Sequence, residues 1–190
     1  MKKSRVIIAG GAAALLMLSG CFLLQEPEYS IPVCYDLASQ KAAPVVSAPV
    51  EFRSFIDVTG NGTGIVYRAA GGEVTSDDLN RFTAPPVQLI RRRLIELFPP
   101  AAQNSLKVSG ILSRFEIDRE SRRAVMALDY KILCNGTGKA LRHRISVPLK
   151  GESGALCAEA LESCVISSAR RLAGEVSLFA KECERKRVEK

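Results

Sequence analysis

The sequence has little of the chemistry on which enzymes depend. Its 190 residues include no tryptophan and a single histidine, and aromatic residues make up only 6% of the chain. The histidine, His143, stands between two arginines with no nucleophile motif beside it, which favours a packed side chain over a catalytic base. A GxxxxGK[ST] segment is also absent, which excludes a P-loop nucleotidase. We therefore expect a protein that acts without catalysis.

Motifs that hold metals or cofactors are missing as well. The six cysteines contain no CxxC pair, and none is spaced with the histidine as zinc ligands would be. The adjacent carboxylates Asp77 and Asp78 would point in different directions on a helix, so they suit helix capping better than acid–base chemistry. We predict neither a metal nor a cofactor.

What the chain does have is a distinctive amino terminus. Three basic residues, Lys2, Lys3 and Arg5, precede about 14 mostly apolar residues that end in Leu18-Ser19-Gly20-Cys21. An apolar run of this length is too short to span a bilayer, which takes about 20 residues, and it is typical of a secretory signal. The sequence therefore predicts cleavage after the small residues and export of the chain.

The cysteine at the cleavage point makes this segment similar to a bacterial lipoprotein signal, in which the cysteine is lipidated and becomes the first mature residue. The simpler alternative is a secretory signal with an incidental cysteine. We expect lipidation of Cys21, because attached acyl chains hold a protein on a membrane without a transmembrane helix. Phe22 follows in place of aspartate, which in diderm bacteria favours sorting to the outer membrane, with the domain in the periplasm.

Four segments follow from this interpretation. Residues 1–20 form the cleaved signal, residues 21–30 a lipidated tether, residues 31–184 one domain, and residues 185–190 a charged tail. Cleavage would leave about 170 residues with a net charge of about +4, against +7 for the whole chain.

Several basic clusters remain in the mature chain. We interpret them as solvated surface or as sites of attraction to anionic lipid headgroups, and nucleic acid is not an expected partner outside the cytoplasm. The clusters are Arg91-Arg92-Arg93, Arg122-Arg123, Arg142 with Arg144, and Arg170-Arg171.

Five cysteines follow Cys21 in a compartment that permits disulfides. Three of them, Cys157, Cys164 and Cys183, fall on one apolar stripe of a predicted helix. On an unbroken helix the first two would stand about 10 Å apart, beyond the reach of a disulfide. These cysteines are therefore either small buried hydrophobic residues or partners of Cys34 or Cys134, and the odd number leaves at least one thiol free.

The first half of the domain alternates between extended and helical patterns. Residues 31–37, 50–58 and 65–69 are predicted strands, the second with Phe52, Ile56 and Val58 on one face. The Asn61-Gly62 turn predicts a hairpin between the last two of these strands. Capping residues at 75–78 predict a short helix through position 82, and an amphipathic helix follows over residues 87–97.

The second half predicts a meander and a long helix. Residues 106–117, 124–134 and 139–149 read as three antiparallel strands, with Asn135-Gly136 as the second turn. Ser153 begins a helix that is expected to run to about Glu184. The fold class is therefore α/β in the α+β sense: a single domain with a largely antiparallel or mixed sheet and two main helices packed on one face.

Short apolar and aromatic motifs run through the middle of the chain. They are Val66-Tyr67-Arg68, Asn80-Arg81-Phe82, Pro85-Pro86 with Leu89 and Leu94, Leu106-Lys107-Val108, Phe115-Glu116-Ile117-Asp118, and the segment 124–128. Together with the signal, they make most of residues 31–180 similar to the ABC-type transport auxiliary lipoprotein family. Its PqiC-type members accompany MCE-domain lipid transport systems.

This resemblance implies a periplasmic accessory subunit that is anchored to the outer membrane and positions a lipid transporter by binding. Its expected partners are an MCE-domain protein, ABC transporter subunits and further copies of itself. Sheet edges and side chains around Tyr67 and Phe82 are expected to contact those partners. The alternative is a structural or assembly lipoprotein of the outer membrane, of the secretin-pilot or envelope-scaffold type, which would share the anchor and the lack of catalytic residues.

Overall fold

One mixed β-sheet of seven strands organises the described part of the chain. The computed structural model describes residues 30–102 and 105–188. Within these residues it contains strands β1 (Val33–Tyr35), β2 (Val50–Asp57), β3 (Gly64–Arg68), β4 (Val74–Phe82), β5 (Leu106–Asp118), β6 (Arg123–Cys134) and β7 (Thr137–Pro148), and helices α1 (Pro86–Leu97) and α2 (Gly154–Val188).

Strand β5 lies at the centre of this sheet. The strand order is β1-β4-β3-β5-β6-β7. Strands β2 and β3 pair with the same side of β5, β2 with its first half and β3 with its last two residues. Strand pairs β1–β4, β2–β5 and β3–β5 are parallel, whereas β3–β4, β5–β6 and β6–β7 are antiparallel. This arrangement confirms the predicted α+β class with a mixed sheet.

The two helices cover one face of the sheet. Helix α2 packs on β5, β6 and β7, and α1 packs on β2 and α2. Along β5 the side chains of Leu106, Val108 and Leu112 are buried beneath the helices, whereas Lys107 and Ile111 are exposed on the open face. Burial of one face by helices is what stabilises such a sheet in water.

The predicted meander is confirmed, and its turn has the expected geometry. Asn135 and Gly136 take φ angles of 46° and 82° between the paired residues Cys134 and Thr137. Positive φ at both positions is the requirement of the tight hairpin turn that Asn-Gly favours.

Two expectations about the first half of the domain were wrong. Residues 75–82 belong to β4 and not to a helix, because Asp77 caps a bulge: its Oδ1 accepts hydrogen bonds from the backbone N–H groups of Leu79 and Asn80 at 2.8 and 3.0 Å. The turn at Asn61-Gly62 does not join a hairpin either. Strands β2 and β3 pair with successive stretches of β5 and not with each other.

A bulge also changes which side chains of β2 are buried. The pairing register with β5 shifts between Phe52 and Phe55, so the alternation reverses there. Phe52 is buried, as predicted, but Ile56 and Val58 lie on the open face and are more than half exposed.

Helix α2 carries the apolar stripe that its sequence predicts. Cys157 and Cys164 are buried among Leu161, Val165 and other core residues, which confirms them as small buried groups, and all five described cysteines are free thiols. The helix follows Ser153, whose Oγ accepts a hydrogen bond from the Leu156 N–H at 3.4 Å, and it extends to Val188, beyond the expected end near Glu184.

The predicted signal, the lipidation site Cys21 and nearly all of the tether lie outside the described residues. Within residues 30–102 and 105–188, neither helix is long and apolar enough to cross a membrane.

Candidate docking site at the Tyr67 end of the sheet

A groove of 240 Å³ opens beside Tyr67, where β3 and β5 end and α2 begins. We call it the Tyr67 groove. It is lined by Tyr67, Ile117, Arg119, Arg122, Leu149, Glu152 and Cys157.

The floor of the groove is apolar and chemically quiet. Burial raises the pKa of the Tyr67 phenol well above its ordinary value, with Cys157 and Asp77 as further causes, so the phenol stays neutral. Burial also raises the pKa of the Cys157 thiol. Because the thiolate is the reactive form of cysteine, this thiol is not set up as a nucleophile.

The rim of the groove is charged. The guanidinium carbon of Arg119 lies 4.4 Å from the centroid of the Tyr67 ring, within the range of a cation–π contact. Arg122 faces Glu152 across the rim at 3.8 Å, and both side chains are exposed. An apolar floor under a mostly cationic rim suits an apolar side chain or an anionic group of a partner.

An open sheet edge adjoins this groove. Strand β1 pairs only with positions 80–82 of β4, so among the described residues no strand covers the outer side of positions 74–79. We call this stretch the β4 edge. Val74 and Leu79 on this edge are each about half exposed, as is Val33 on the adjoining strand β1. Tyr67 pairs with Thr75 across β3 and β4, so the groove and the β4 edge are neighbours.

Phe82 has a different place from the one that the resemblance implied. Only 3% of it is exposed, and its ring packs against Phe115 with 5.7 Å between centroids. Its ring therefore offers a partner almost no surface and belongs to the core beneath β4. Tyr67 is also mostly buried, at 7% exposure, but it lines the groove.

The arginines of α1 have structural partners. Arg91 donates to the backbone carbonyls of Arg53 and Phe52 at 2.9 and 3.0 Å, and Arg92 forms a salt bridge with Asp36. Arg93 is buried against Glu162 at 3.1 Å. This basic cluster therefore ties the helix to neighbouring segments, with Arg93 buried and Arg91 and Arg92 exposed to solvent.

The single histidine lies in the interior. His143 Nδ1 is 2.8 Å from Ser168 Oγ, which is 3.0 Å from the hydroxyl of Tyr130. Ser168 and His143 are 0% and 1% exposed, so a substrate could reach the hydroxyl only if α2 left the sheet. In addition, His143 Nε2 is buried without a hydrogen-bond partner, so no carboxylate orients the ring as in a catalytic triad.

Metal ligands do not converge in this part of the molecule. Across residues 30–102 and 105–188, no group of three or more His, Cys, Asp or Glu side chains is placed to hold an ion.

Comparison with known proteins places the chain by its fold. A crystal structure of an uncharacterized protein superposes with a TM-score of 0.65 at 12% identity, covering 77% of this chain and 99% of the other. Protein XCC0632 from Xanthomonas campestris, assigned to the family DUF330, superposes with a TM-score of 0.63 at 15% identity, covering 82% and 96%. No family model and no curated protein matches the sequence. The likeness therefore concerns the fold.

Proposed function

We propose that this protein is a lipid-anchored periplasmic accessory subunit of an MCE/ABC-type lipid transport system, and that it acts by binding and docking. The observation that carries the proposal is Cys21, which follows Leu18-Ser19-Gly20 at the end of a short apolar segment. The motifs of residues 31–180 agree with this origin, and the fold that the chain shares with XCC0632 is consistent with it.

The docking element that we propose is the β4 edge together with the Tyr67 groove. An unpaired strand edge accepts an extended segment of another chain through main-chain hydrogen bonds, and pockets beside the edge select its side chains. The Leu79 N–H and the Asp78 carbonyl are already bonded within the bulge, so the backbone groups of the β4 edge that face outward and can pair lie at positions 74–77. The groove lies one strand away. An extended segment of the MCE assembly would add a strand there and place a side chain between Arg119 and Arg122.

The other edge of the sheet is less suited to pairing with a partner strand. Strand β7 is the other terminal strand, and Lys139, Arg142 and Arg144 stand along it. Charged residues on an edge strand discourage pairing with other chains. The β4 edge also carries Asp77 and Asp78, but Val74 and Leu79 are half exposed beside them, and a partner strand would cover these two apolar side chains.

The anchor is tested by fractionation of cells that express the whole chain. The natural protein should be found in the outer-membrane fraction, with a mature mass that begins at position 21 and carries acyl chains. Cys21→Ala should abolish both properties, whereas Cys34→Ala, at an exposed position, should change neither. A natural protein that retains its first 20 residues, or that is released with an unmodified thiol, would contradict the proposal.

The docking site is tested by recovery of partners from solubilised envelopes. Val74→Glu and Leu79→Glu should reduce recovery of MCE-domain and ABC subunits by roughly tenfold, because each places a charge in the interface. Ile95→Glu and Leu178→Glu are matched controls, since these residues are equally exposed on the helices. Recovery of secretin or cell-wall components in place of transporter subunits would favour the scaffold alternative.

A further inference from the structure

The two half-buried cysteines among the described residues lie together, at the end of the domain opposite the Tyr67 groove. Cys134 is the last residue of β6, and Cys183 lies near the end of α2. Both line one cavity of 310 Å³, together with Leu106 and Ala180, and both pack against the edge of the core. Of the pairings that the sequence leaves open, the fold brings this one together.

The two thiols are also close enough for one to influence the titration of the other. Burial raises the pKa of the Cys183 thiol to about 11, and the hydrogen bond with the Cys134 thiol is the next cause. At neutral pH Cys183 is therefore mostly protonated, so its exchange with a disulfide is slow and proceeds through the small fraction of thiolate.

The other cysteines are poorly placed to compete. Cys157 and Cys164 are 1% and 0% exposed, and their thiols point to the backbone carbonyls of Glu152 and Ala124 at 3.8 and 3.6 Å. Cys34 is exposed on β1, at the opposite margin of the sheet from β6. Within the described residues, one pair of thiols is therefore both adjacent and accessible.

We propose that Cys134 and Cys183 form a disulfide bond when the protein meets a thiol–disulfide oxidant, either a protein disulfide or glutathione disulfide. The thiolate of one cysteine attacks the oxidant's disulfide, forming a mixed disulfide and releasing one thiol. The second thiolate then displaces the other half of the oxidant and forms the Sγ–Sγ bond. The two cysteines lose two protons and two electrons, and the oxidant's disulfide is reduced to two thiols.

This bond would fasten the end of α2 to the β6–β7 hairpin. It would close a loop of about 50 residues that contains all of β7, and closing a loop of that size restricts the unfolded chain considerably. The last turns of α2 carry Arg185, Lys186 and Arg187, so the bond would also fix the position of these cations. We expect the oxidised protein to melt roughly 5–10 °C higher than the reduced protein.

The pairing rests on proximity and is independent of the proposed transport function. The test uses purified protein that is incubated with glutathione disulfide, alkylated at its remaining thiols and digested without reductant. Mass spectrometry should find a peptide that joins Cys134 to Cys183, with Cys157 and Cys164 present as unmodified thiols that are alkylated only after unfolding. Cys34→Ser should leave the linked peptide and the gain in melting temperature intact, and Cys183→Ser should abolish both.

Alkylation of both Cys134 and Cys183 after incubation with the oxidant, or linkage of either one to Cys34, would overturn the pairing. This readout is made on the natural chain, so it does not depend on whether a variant folds. A bond that forms in purified protein but is absent from protein taken directly from cells supports the pairing and counts against the periplasmic location. The two proposals can therefore fail separately.

Discussion

The carboxylate of Glu162 and the guanidinium of Arg93 form a salt bridge of 3.1 Å in the interior, where the Glu162 side chain has no exposed surface. The same carboxylate accepts hydrogen bonds from the backbone N–H groups of Ser39 and Gln40, each at 3.1 Å. Arg93 in turn donates to the carbonyl of Gln40 at 2.5 Å. Glu162 therefore joins α2, α1 and the loop that follows β1.

Removal of this carboxylate should destabilise the domain strongly. We expect Glu162→Ala to lower the free energy of unfolding by about 3–5 kcal/mol. Arg93 would lose its fully buried carboxylate partner and keep only the more exposed Glu96, and the backbone N–H groups of Ser39 and Gln40 would lose their acceptor. Urea unfolding of the two proteins measures the difference. Glu159→Ala is the matched control on the same helix: its bridge to Lys150 is more exposed and should contribute less than about 1 kcal/mol.

The paired replacement Arg93→Met with Glu162→Leu should be less damaging than the sum of its single changes. It removes both charges together and leaves apolar groups in their place, which often restores stability at buried ion pairs. A double-mutant cycle in urea measures this coupling. Additive effects of the two changes would show that the salt bridge does not link them.

Glu162 also shows what the sequence could and could not predict about the interior. The helical period that placed Leu161 and Val165 on the buried face of α2 places Glu162 beside them, and a charge in such a stripe needs a partner. That signal was available. The partner of Glu162 could not be predicted in the same way, because Arg93 lies on another helix and stands in a run of three arginines that resembles a solvated face.

The fold was predictable where local signals determine it. Asn135-Gly136 identifies a hairpin because the turn depends on its own residues. The sequence gives no comparable signal for β2 and β3, whose partner on β5 lies about 50 residues further along the chain. The helix predicted through position 82 is wrong because the carboxylate oxygens that can cap a helix can also cap a bulge in a strand, as those of Asp77 do in β4.

Gly62, which precedes β3, and Gly64, the first residue of β3, should respond differently to substitution. A Cβ at Gly64 would lie 2.8 Å from the carbonyl oxygen of Asp77 and closer still to Ser76 Oγ, whereas a Cβ at Gly62 would meet nothing within 4 Å. Gly64→Ala should therefore lower the free energy of unfolding by about 1–3 kcal/mol, since β3 and β4 would have to separate.

Gly62→Ala is the matched control and should change stability by less than about 0.5 kcal/mol. Thermal unfolding followed by circular dichroism compares the two variants with the natural protein. Equal melting temperatures for both would mean that the bulge in β4 yields to the added methyl group.

The buried imidazole of His143 should make stability depend on pH in a window set by one residue. Burial, followed by the nearby charge of Arg171, lowers its pKa from 6.5 to about 4, with Glu175 and Asp129 acting weakly in the other direction. Between these two values the unfolded chain binds a proton that the folded protein does not. The contribution of the neutral imidazole to the free energy of unfolding is therefore complete above pH 6.5. It is lost as the pH falls towards 4, by up to about 3 kcal/mol.

This window can be separated from that of the carboxylates. Glu116 and Asp118 have pKa values below their ordinary 4.5 and 3.8, Glu116 because hydrogen bonds from Arg68 and Arg114 outweigh its burial and Asp118 mainly because of the backbone N–H of Ser121. Their contribution is lost only at lower pH. The urea midpoint of the natural protein should fall as the pH is lowered from 7 to 5. In His143→Phe the midpoint should not change over this range, whether the variant is more or less stable than the natural protein. A slope that persists in His143→Phe would assign the pH dependence to another group.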